Sequence, residues 1–392
     1  MFRKMPFILL AIILAIVCFA PIMPYELKQV LYSISLSIKS IIVLALPFII
    51  FALLLKTVLT LSSNATKIIG MILFFVCCSN FMSTFVSHYV GIGIYHLGFS
   101  MIVPPKTMEL LPLWMFEPPK LIANDKAMFA GIILGFILSR LKPNKSSKIV
   151  REIDKIMNIL LSFIVCLIPL FVAGFLIKLQ YDGVVSVIIK DYAPIFLLIA
   201  LAQFVYIGFV LLCLNQFRIA GLFKDFKNML PAVISGFSTM SSAASMPLTI
   251  IGVENSTQNK ELSGAVIPAT VNIHLVGDCF AIPIFAYAVL KSFGLDEPSL
   301  LTYLLFTFYF VLAKFSVAAI PGGGIIVMLP ILETYLGFNS AMMSLITALY
   351  ILFDPVITSA NVLGNGAFAK MIDTVTTYRI KKISLRDAAT PN

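Results

Sequence analysis

Charged side chains are scarce in this 392-residue chain, where Asp, Glu, Lys and Arg together make up 12% of the residues. A soluble domain carries about 25% charged and about 45–50% apolar residues, whereas 60% of this chain is apolar and its mean hydropathy is +1.03. So few charges cannot cover a water-exposed surface of this size. The composition excludes a soluble enzyme, a disordered protein and a nucleic-acid-binding protein, and it predicts a polytopic membrane protein.

Histidine and cysteine are also few, with three and six residues. The cysteines mostly lie inside apolar runs, and no two pairs of them have the spacing of zinc ligands. We interpret them as buried thiols in helices. These residues therefore indicate no resident metal and no cofactor.

Long apolar runs are abundant, and a membrane-spanning helix needs about 20 mostly apolar residues. Several runs exceed 25 residues, which implies a tilted or broken helix. The first run has a basic start like that of a signal peptide, but no A-x-A cleavage site follows it, which favours a retained helix. The candidate spans are 6–23, 35–61, 66–97, 127–140, 156–180, 192–214, 263–291 and 340–372.

The excess of positive charge, 28 Lys and Arg against 18 Asp and Glu, is concentrated in a few segments. Basic residues favour cytoplasmic loops. With the N-terminus in the cytoplasm, the basic segments 3–4, 142–155, 218–227 and 379–386 all fall on that side. The pattern predicts an integral protein of the plasma (inner) membrane with both termini in the cytoplasm.

Two stretches, 230–250 and 311–335, have apolar arms around a tip rich in Ser, Gly and Pro. Such a tip interrupts a helix, and its free backbone groups cannot face lipid. We therefore predict two re-entrant hairpins, each followed by a long, broken, polar-spotted span, 263–291 and 340–372. Secondary transporters place their binding sites between such repeats. The alternative is two ordinary spans with glycine-rich packing faces.

At these residues the chain resembles the dicarboxylate/amino acid:cation symporter family, which has the glutamate-transporter fold. The motifs are "TMSSAASMP", "PATVNIHLVGD", "AAIPGGG" and "LFDPVITSANVLGNG", and the segment order matches over nearly the whole chain. The resemblance implies an all-α polytopic membrane protein with eight transmembrane helices, two re-entrant hairpins and inverted repeats. It also implies an elevator-type transporter that assembles as a homotrimer in membrane lipid.

The resemblance further implies a division of the chain into two domains. Residues 1–65 and 98–191 would form the scaffold, with helices 1–2 and 4–5. Residues 66–97 and 192–378 would form the transport domain, with helix 3, helix 6, hairpin 1, helix 7, hairpin 2 and helix 8. Residues 379–392 would be a cytoplasmic tail.

The last span carries Asp354, Thr358 and Asn361 on one helical face, since Asp354 and Asn361 lie two turns apart. An acid inside a membrane span is costly, on the order of 2.5–3.5 kcal/mol, and needs a partner or a wet site. By resemblance, the aspartate holds the amino group of a small-molecule substrate. A structural alternative is that it caps the turn at Pro355. The substrate-binding residues implied are Ser241, Ser242, Ile320, Gly324, Asp354, Thr358 and Asn361.

The residue types at the two hairpin tips are suited to binding a ligand or gating its access. Helix N-termini that face a cavity, as expected beside Ser241 and Ser242, offer N–H donors to a carboxylate, although the serines would also satisfy backbone at the turn. Gly322, Gly323 and Gly324 permit a tight, mobile gate.

Ile357 stands where the family has the arginine that pairs with a substrate's side-chain carboxylate. A neutral amino acid is therefore favoured over glutamate or a dicarboxylate, unless a cation reaches in from elsewhere.

The sodium ligands of the family are largely replaced. Its two aspartates correspond to His274 and Asn365, and the second-hairpin position holds Lys314, whereas Ser79 and Asn272 are retained. The family's tyrosine and threonine ligands on the third span are replaced too, by Phe75 and Cys78. Two carboxylates are thus lost from the sodium positions and one fixed positive charge is gained. This change in charge argues against ordinary sodium coupling, and Lys314 would stand in for a bound cation.

His274 and Asp278 are spaced one helical turn apart, and a carboxylate beside a histidine raises its pKa. We predict that this pair carries a proton, so that H⁺ rather than Na⁺ is the coupling ion; a structural His–Asp bond is the alternative. The residues assigned to cation or proton coupling are Ser79, Asn272, His274, Asp278, Lys314 and Asn365. No role is assigned to Lys39, Lys56, His88 and His96.

The leading interpretation is a cation-coupled symporter for a small amino acid or dicarboxylate, and not an enzyme. A polytopic membrane enzyme would need histidines and acids clustered at a membrane face, and a channel would need a continuous polar stripe. The alternatives are a degenerate family member that no longer transports and a polytopic membrane enzyme of this kind.

Overall fold

The structure is a computed structural model, and its described part is helical. It describes residues 11–12, 15–16, 18–63, 67–97, 110–116, 118–119, 122, 124–141, 143–181, 184–317 and 322–389. Ile320, a predicted substrate contact, lies outside these residues, as do parts of the first candidate span. The described residues of that span are helical at 11–12, 15–16 and 18–19 and lead into a short 3₁₀ turn, Ala20–Ile22.

Twelve long helices follow this turn within the described residues, and no strand occurs there. They are α1 (Tyr25–Ser63), α2 (Lys67–His96), α3 (Asn124–Leu141), α4 (Pro143–Tyr181), α5 (Val184–Leu214), α6 (Ile219–Thr239), α7 (Ser242–Glu254), α8 (Lys260–Thr270), α9 (Val276–Ser292), α10 (Leu300–Lys314), α11 (Gly323–Leu336) and α12 (Ser340–Ala389).

Three of the described helices contain segments long and apolar enough to cross a membrane, namely Gly70–His96, Tyr192–Leu214 and Ser340–Thr377. The apolar runs at 35–61, 127–140 and 156–180 also lie inside helices, α1, α3 and α4. The all-helical class is therefore confirmed, whereas the number of membrane crossings stays a prediction.

Both stretches that were predicted as hairpins contain a helix, a turn and a second helix. We call α6, Met240–Ser241 and α7 hairpin 1. We call α10 and α11 hairpin 2; between them the structure describes residues 315–317 and Gly322, which are not helical. The two helices of each hairpin pack against each other. In hairpin 1 the break falls at Met240, whose backbone is left-handed with φ 51°. Ordinary continuous helices are thus excluded at these stretches.

The two spans that follow the hairpins differ from each other. Span 263–291 is interrupted, because α8 ends at Thr270 and α9 begins at Val276. The predicted break in span 340–372 is wrong, since α12 runs through Pro355 as one helix. A proline is tolerated inside a membrane helix when the surroundings satisfy the freed backbone groups.

The centre of the fold is α9. Residues 276–290 are all buried, as expected for a helix that is apolar on every side, and α9 packs against α2, α5 and α12. Separately, α1 packs along α3 and α4. The proposed site lies at the start of α9, where the chain enters this core.

Candidate functional site

The interruption between α8 and α9 exposes backbone groups in the middle of the fold, and a side chain of α2 satisfies two of them. Asn80, fully buried, donates its amide N–H to the Ile273 carbonyl at 2.7 Å and accepts the Leu275 N–H at 3.3 Å. Buried backbone groups must find partners. Asn80 therefore holds the break in place, a role that the sequence analysis missed although Asn80 adjoins Ser79.

Two asparagines of α12 satisfy the other side of the break. Asn361 accepts the Gly277 N–H at 2.8 Å, at the N-terminus of α9. Asn365 donates to the His274 carbonyl at 3.2 Å and to the Asn361 carbonyl at 3.0 Å. Free N–H groups at a helix start are stabilised in this way by side-chain oxygens. The predicted substrate contact Asn361 thus also positions α9.

His274 is buried at the break, and its Nε2 lies 2.8 Å from the Ser79 hydroxyl. Its ring packs on Phe368, with centroids 4.4 Å apart. Among the described residues, His274 Nδ1 and Asn365 Oδ1 are buried and have no hydrogen-bond partner. The structure thus brings Ser79, His274 and Asn365 together, as the resemblance implies.

The predicted pairing of His274 with Asp278 is wrong. An i,i+4 spacing places side chains on one face only within a continuous helix, and residues 271–275 are not helical. The Asp278 carboxylate instead receives Lys314 Nζ at 2.9 Å on Oδ2, and the Tyr350 hydroxyl at 2.9 Å and the Asn361 amide at 3.2 Å on Oδ1. Tyr350 was not singled out from the sequence.

Lys314 is fully buried, with 0% of its side chain exposed against 2% for Asp278. Its ammonium also lies 4.5 Å from the centre of the Phe310 ring. A buried ammonium is very unfavourable unless it is paired and hydrogen-bonded. Lys314 and Asp278 are therefore each other's charge partners, joining the first helix of hairpin 2 to the start of α9.

Asp354 ties the tip of hairpin 2 to α12. Its Oδ2 accepts the Gly322 N–H at 2.9 Å and its Oδ1 accepts the Thr358 hydroxyl at 2.9 Å. Gly322 has a left-handed backbone with φ 72°, which favours glycine. A Cβ at Gly324 would collide with Asp278 Oδ2 and Tyr350 Oη, so a larger residue there would have to displace these two side chains. The hairpin 2 tip thus lies directly against both buried aspartates.

Hairpin 1 reaches the same part of α12. The Ser359 hydroxyl donates to the Val233 carbonyl at 3.2 Å, and Gly236 packs on Thr358 and Val362. At the tip, the Ser241 hydroxyl accepts the Ala244 N–H at 3.2 Å as the N-cap of α7. This is the alternative role weighed for the serines, and Ser242 is buried beside it.

Asn272 departs from the rest of the predicted coupling set, because its side chain is exposed in the turn after α8. Asp278 accepts hydrogen bonds from Lys314, Tyr350 and Asn361. Asp354 borders this group through the tip of hairpin 2, and His274 borders it through Asn365, which donates to the backbone carbonyls of His274 and Asn361. Together these six buried residues form a cluster. We call it the polar junction, and it consists of His274, Asp278, Lys314, Tyr350, Asp354 and Asn361.

The positions that the resemblance assigns to sodium do not suit that ion. Sodium, like other hard cations, prefers oxygen ligands. Here one of these positions holds an imidazole and another a buried ammonium. The retained hydroxyl of Ser79 is bonded to His274. The donor set of this chain therefore does not fit a bound sodium ion.

Further along α12, two charged residues anchor loops outside the polar junction. Lys370 pairs with Asp225 at 2.6 Å, which links α12 to α6. Asp373 accepts the N–H groups of Gln258 and Asn259 at 2.9 and 3.0 Å, just before α8. These contacts join residues more than 100 positions apart, so local sequence patterns do not indicate them.

Comparison with known proteins identifies the wider relationship. The sodium:dicarboxylate symporter family matches residues 121–375. Over 166 residues the chain is 30% identical to excitatory amino acid transporter 2 of Homo sapiens, covering 42% of this chain and 27% of the relative. Over 156 residues it is 26% identical to excitatory amino acid transporter 1 of Rattus norvegicus, covering 39% and 28%. The matched segments span little more than a quarter of these relatives' length.

The family and these relatives are named as transporters, which confirms the prediction of a transporter rather than an enzyme at the level of the family. The apolar helices agree with an integral membrane protein. Because the family match extends over more than half of the chain, from the start of α3 through most of α12, this protein belongs to the sodium:dicarboxylate symporter family.

Proposed function

We propose that this protein is a secondary transporter that carries a small amino acid or a dicarboxylate across the plasma (inner) membrane, coupled to a cation. The observation that carries the proposal is the polar junction. An interrupted helix, the tip of hairpin 2 and the middle of α12 bring two carboxylates and an ammonium together inside a highly apolar fold. Buried ionisable groups within membrane proteins mark substrate or ion pathways.

We also propose a membrane topology and an assembly for this protein. Eight transmembrane helices, two re-entrant hairpins and inverted repeats would form an elevator-type homotrimer with both termini in the cytoplasm. The packing of α1 with α3 and α4, apart from the group around α9, supports the division into scaffold and transport domains. The domain boundaries proposed are those given by the resemblance.

Substrate would lie between the two hairpin tips and α12. Asp354 would receive its amino group, and the N-terminus of α7 at Ser241 and Ser242 would receive its α-carboxylate, because free N–H groups at a helix start attract anions. Ile320, Gly324, Thr358 and Asn361 complete the proposed contacts. The hydrogen bond from the Gly322 N–H to Asp354 at 2.9 Å supports a substrate position next to hairpin 2.

A proton is proposed as the coupling ion in preference to sodium. The charge balance of the chain supports this, since His274 and Asn365 replace two carboxylates and the Lys314 ammonium adds a fixed positive charge. The particular proton-carrying pair expected from the sequence, His274 with Asp278, does not form. The preference therefore rests on the lost sodium ligands and not on that pair.

Uptake into proteoliposomes tests the proposal. Labelled L-serine, L-aspartate and succinate are offered under an imposed pH gradient, an imposed sodium gradient, or neither. We expect accumulation of at least one substrate with the pH gradient alone, and loss of it in the Asp354→Ala variant.

Accumulation driven by sodium with an inert pH gradient would contradict the proton assignment and leave transport intact. No accumulation of any substrate under either gradient, from protein that retains its melting transition, would contradict transport itself. That result would favour a degenerate member of the family.

A further inference from the structure

The Asp278 carboxylate is bound much as a protein binds a carboxylate ligand. It accepts hydrogen bonds from an ammonium, a phenol and an amide, which come from Lys314 on α10 and from Tyr350 and Asn361 on α12. Charge-assisted hydrogen bonds of this kind are the strong ones. The three donors therefore form a carboxylate-binding site that the chain fills with its own side chain.

This site borders the proposed substrate position. Gly324, at the start of α11, lies against Asp278 Oδ2 and the Tyr350 hydroxyl. Two residues earlier, Gly322 donates to Asp354. The ammonium of Lys314 thus belongs to the same small region in which a substrate would be held.

The charged side chains of the polar junction determine which charges of a ligand could be neutralised there. In the part of the chain that the structure describes, the carboxyl and ammonium groups of the polar junction are those of Asp278, Asp354 and Lys314. Lys314 is engaged by Asp278 at 2.9 Å, and an isoleucine, Ile357, stands where the family has its carboxylate-pairing arginine. Asp354 can then pair with an amino group, and the described residues of the polar junction hold no second ammonium or guanidinium for a further carboxylate.

We propose that the internal Lys314–Asp278 pair sets the substrate charge, so that the transporter accepts a neutral amino acid and rejects substrates with a second carboxylate. Asp278 occupies the place that a substrate's side-chain carboxylate would need on Lys314. Removing the charge of Asp278 then leaves a buried, unpaired ammonium, which recruits a carboxylate from the substrate. This inference rests on the proposed transport function.

The test compares binding of L-serine, L-aspartate and succinate to purified protein in lipid nanodiscs, by calorimetry and thermal shift. We expect wild-type protein to favour L-serine by at least about tenfold. In Asp278→Asn the ratio should move toward L-aspartate by at least about tenfold, which lies at the low end of the coupling between close charge pairs. The double variant Asp278→Asn/Lys314→Met should return to a preference for L-serine.

Asp225→Asn is the matched control, because Asp225 is also buried and paired with a lysine, at 2.6 Å, but lies outside the polar junction. Its ratio of L-serine to L-aspartate affinity should equal that of wild type. An equal shift in Asp225→Asn and Asp278→Asn would overturn the inference.

Two outcomes separate this inference from the proposed function. If wild type binds L-serine but Asp278→Asn keeps the wild-type ratio, or if wild type favours L-aspartate, the inference is wrong and transport stands. If wild type binds neither amino acid nor succinate, the proposed function fails and the inference fails with it. Should Asp278→Asn be too unstable for calorimetry, its melting temperature must rise with L-aspartate and not with L-serine, since ligands stabilise the state they bind.

Discussion

The Gly322 backbone N–H lies 2.9 Å from Oδ2 of Asp354, so the start of α11 is bonded directly to the middle of α12. The two residues are 32 positions apart and belong to different motifs of the sequence. The same carboxylate accepts the Thr358 hydroxyl at 2.9 Å, so Asp354 holds the start of α11 against this part of α12. It gives the proposed gate a specific contact that a substrate's amino group would have to share or replace.

Asp354→Asn should weaken binding of the preferred amino acid by at least about tenfold. The change removes a charged acceptor, and hydrogen bonds to charged groups contribute about 1.5–3 kcal/mol, where 1.4 kcal/mol corresponds to a tenfold change. Calorimetric titration of the purified variant measures the effect.

Asp373→Asn is the control for that substitution. Asp373 is another buried aspartate of α12 that accepts two backbone N–H groups, but it does so at the loop before α8. Its variant should lose stability and keep the wild-type affinity. Wild-type affinity in Asp354→Asn, or the same loss in both variants, would show that Asp354 is structural.

Asn80→Ala should destabilise the protein by about 2–6 kcal/mol. It leaves the Ile273 carbonyl and the Leu275 N–H buried without their partner, and each unsatisfied group costs about 1–3 kcal/mol. Chemical denaturation in detergent measures this difference. Asn228→Ala is the comparison, because Asn228 is only half-buried and bonds at the loop around 255–256; a loss as large as that of Asn80→Ala would refute the assigned role.

Lys314→Met alone should cost about 3–5 kcal/mol, because it leaves Asp278 as a buried carboxylate without its countercharge. The double variant Lys314→Met/Asp278→Asn should be less destabilised than the sum of the two single variants. The free energies of unfolding of all four proteins form a double-mutant cycle, which isolates the interaction of the pair. Additive losses would show that the two side chains do not stabilise each other.

A variant with His274→Asp and Asn365→Asp should acquire sodium dependence. Two carboxylates would then stand at the break, and without a countercharge they are unfavourable. We expect the variant to melt at a lower temperature than wild type in choline chloride and to recover in sodium chloride, since an ion that binds the native state stabilises it. Wild type should melt at the same temperature in both salts. A clear sodium-induced rise in wild type would contradict our interpretation of its cation site.

Much of the fold could be read from local chemistry. A charge content of 12% and the long apolar runs predict membrane helices. The small-residue tips predict helix breaks, which occur at Met240 and before Gly323. The family resemblance placed Ser79, His274 and Asn365 at one site, and the structure shows His274 in contact with both Ser79 and Asn365. The predicted break near Pro355 failed because one proline does not end a helix whose surroundings satisfy it.

The partner of each buried charged side chain could not be predicted from local sequence. The i,i+4 rule linked His274 to Asp278, but it holds only where the helix is continuous, and that continuity is lost at 271–275. The true partner of Asp278 is Lys314, 36 positions away on a different helix. Asn80 and Tyr350 escaped notice for the same reason, because their bonds join segments far apart in the chain.

By itself, the amino-acid sequence determined that this protein lies in a membrane, that its helices break at particular small residues, and that it belongs to a transporter family. Apolar content, helix-breaking residues and short motifs are properties of residues that are neighbours in the sequence. They can therefore be recognised before the fold is known. Only the tertiary structure decided which charged side chains pair with each other, as Lys314 does with Asp278. Inside a medium that tolerates no unpaired ion, that choice depends on how hairpin 2, α9 and α12 meet.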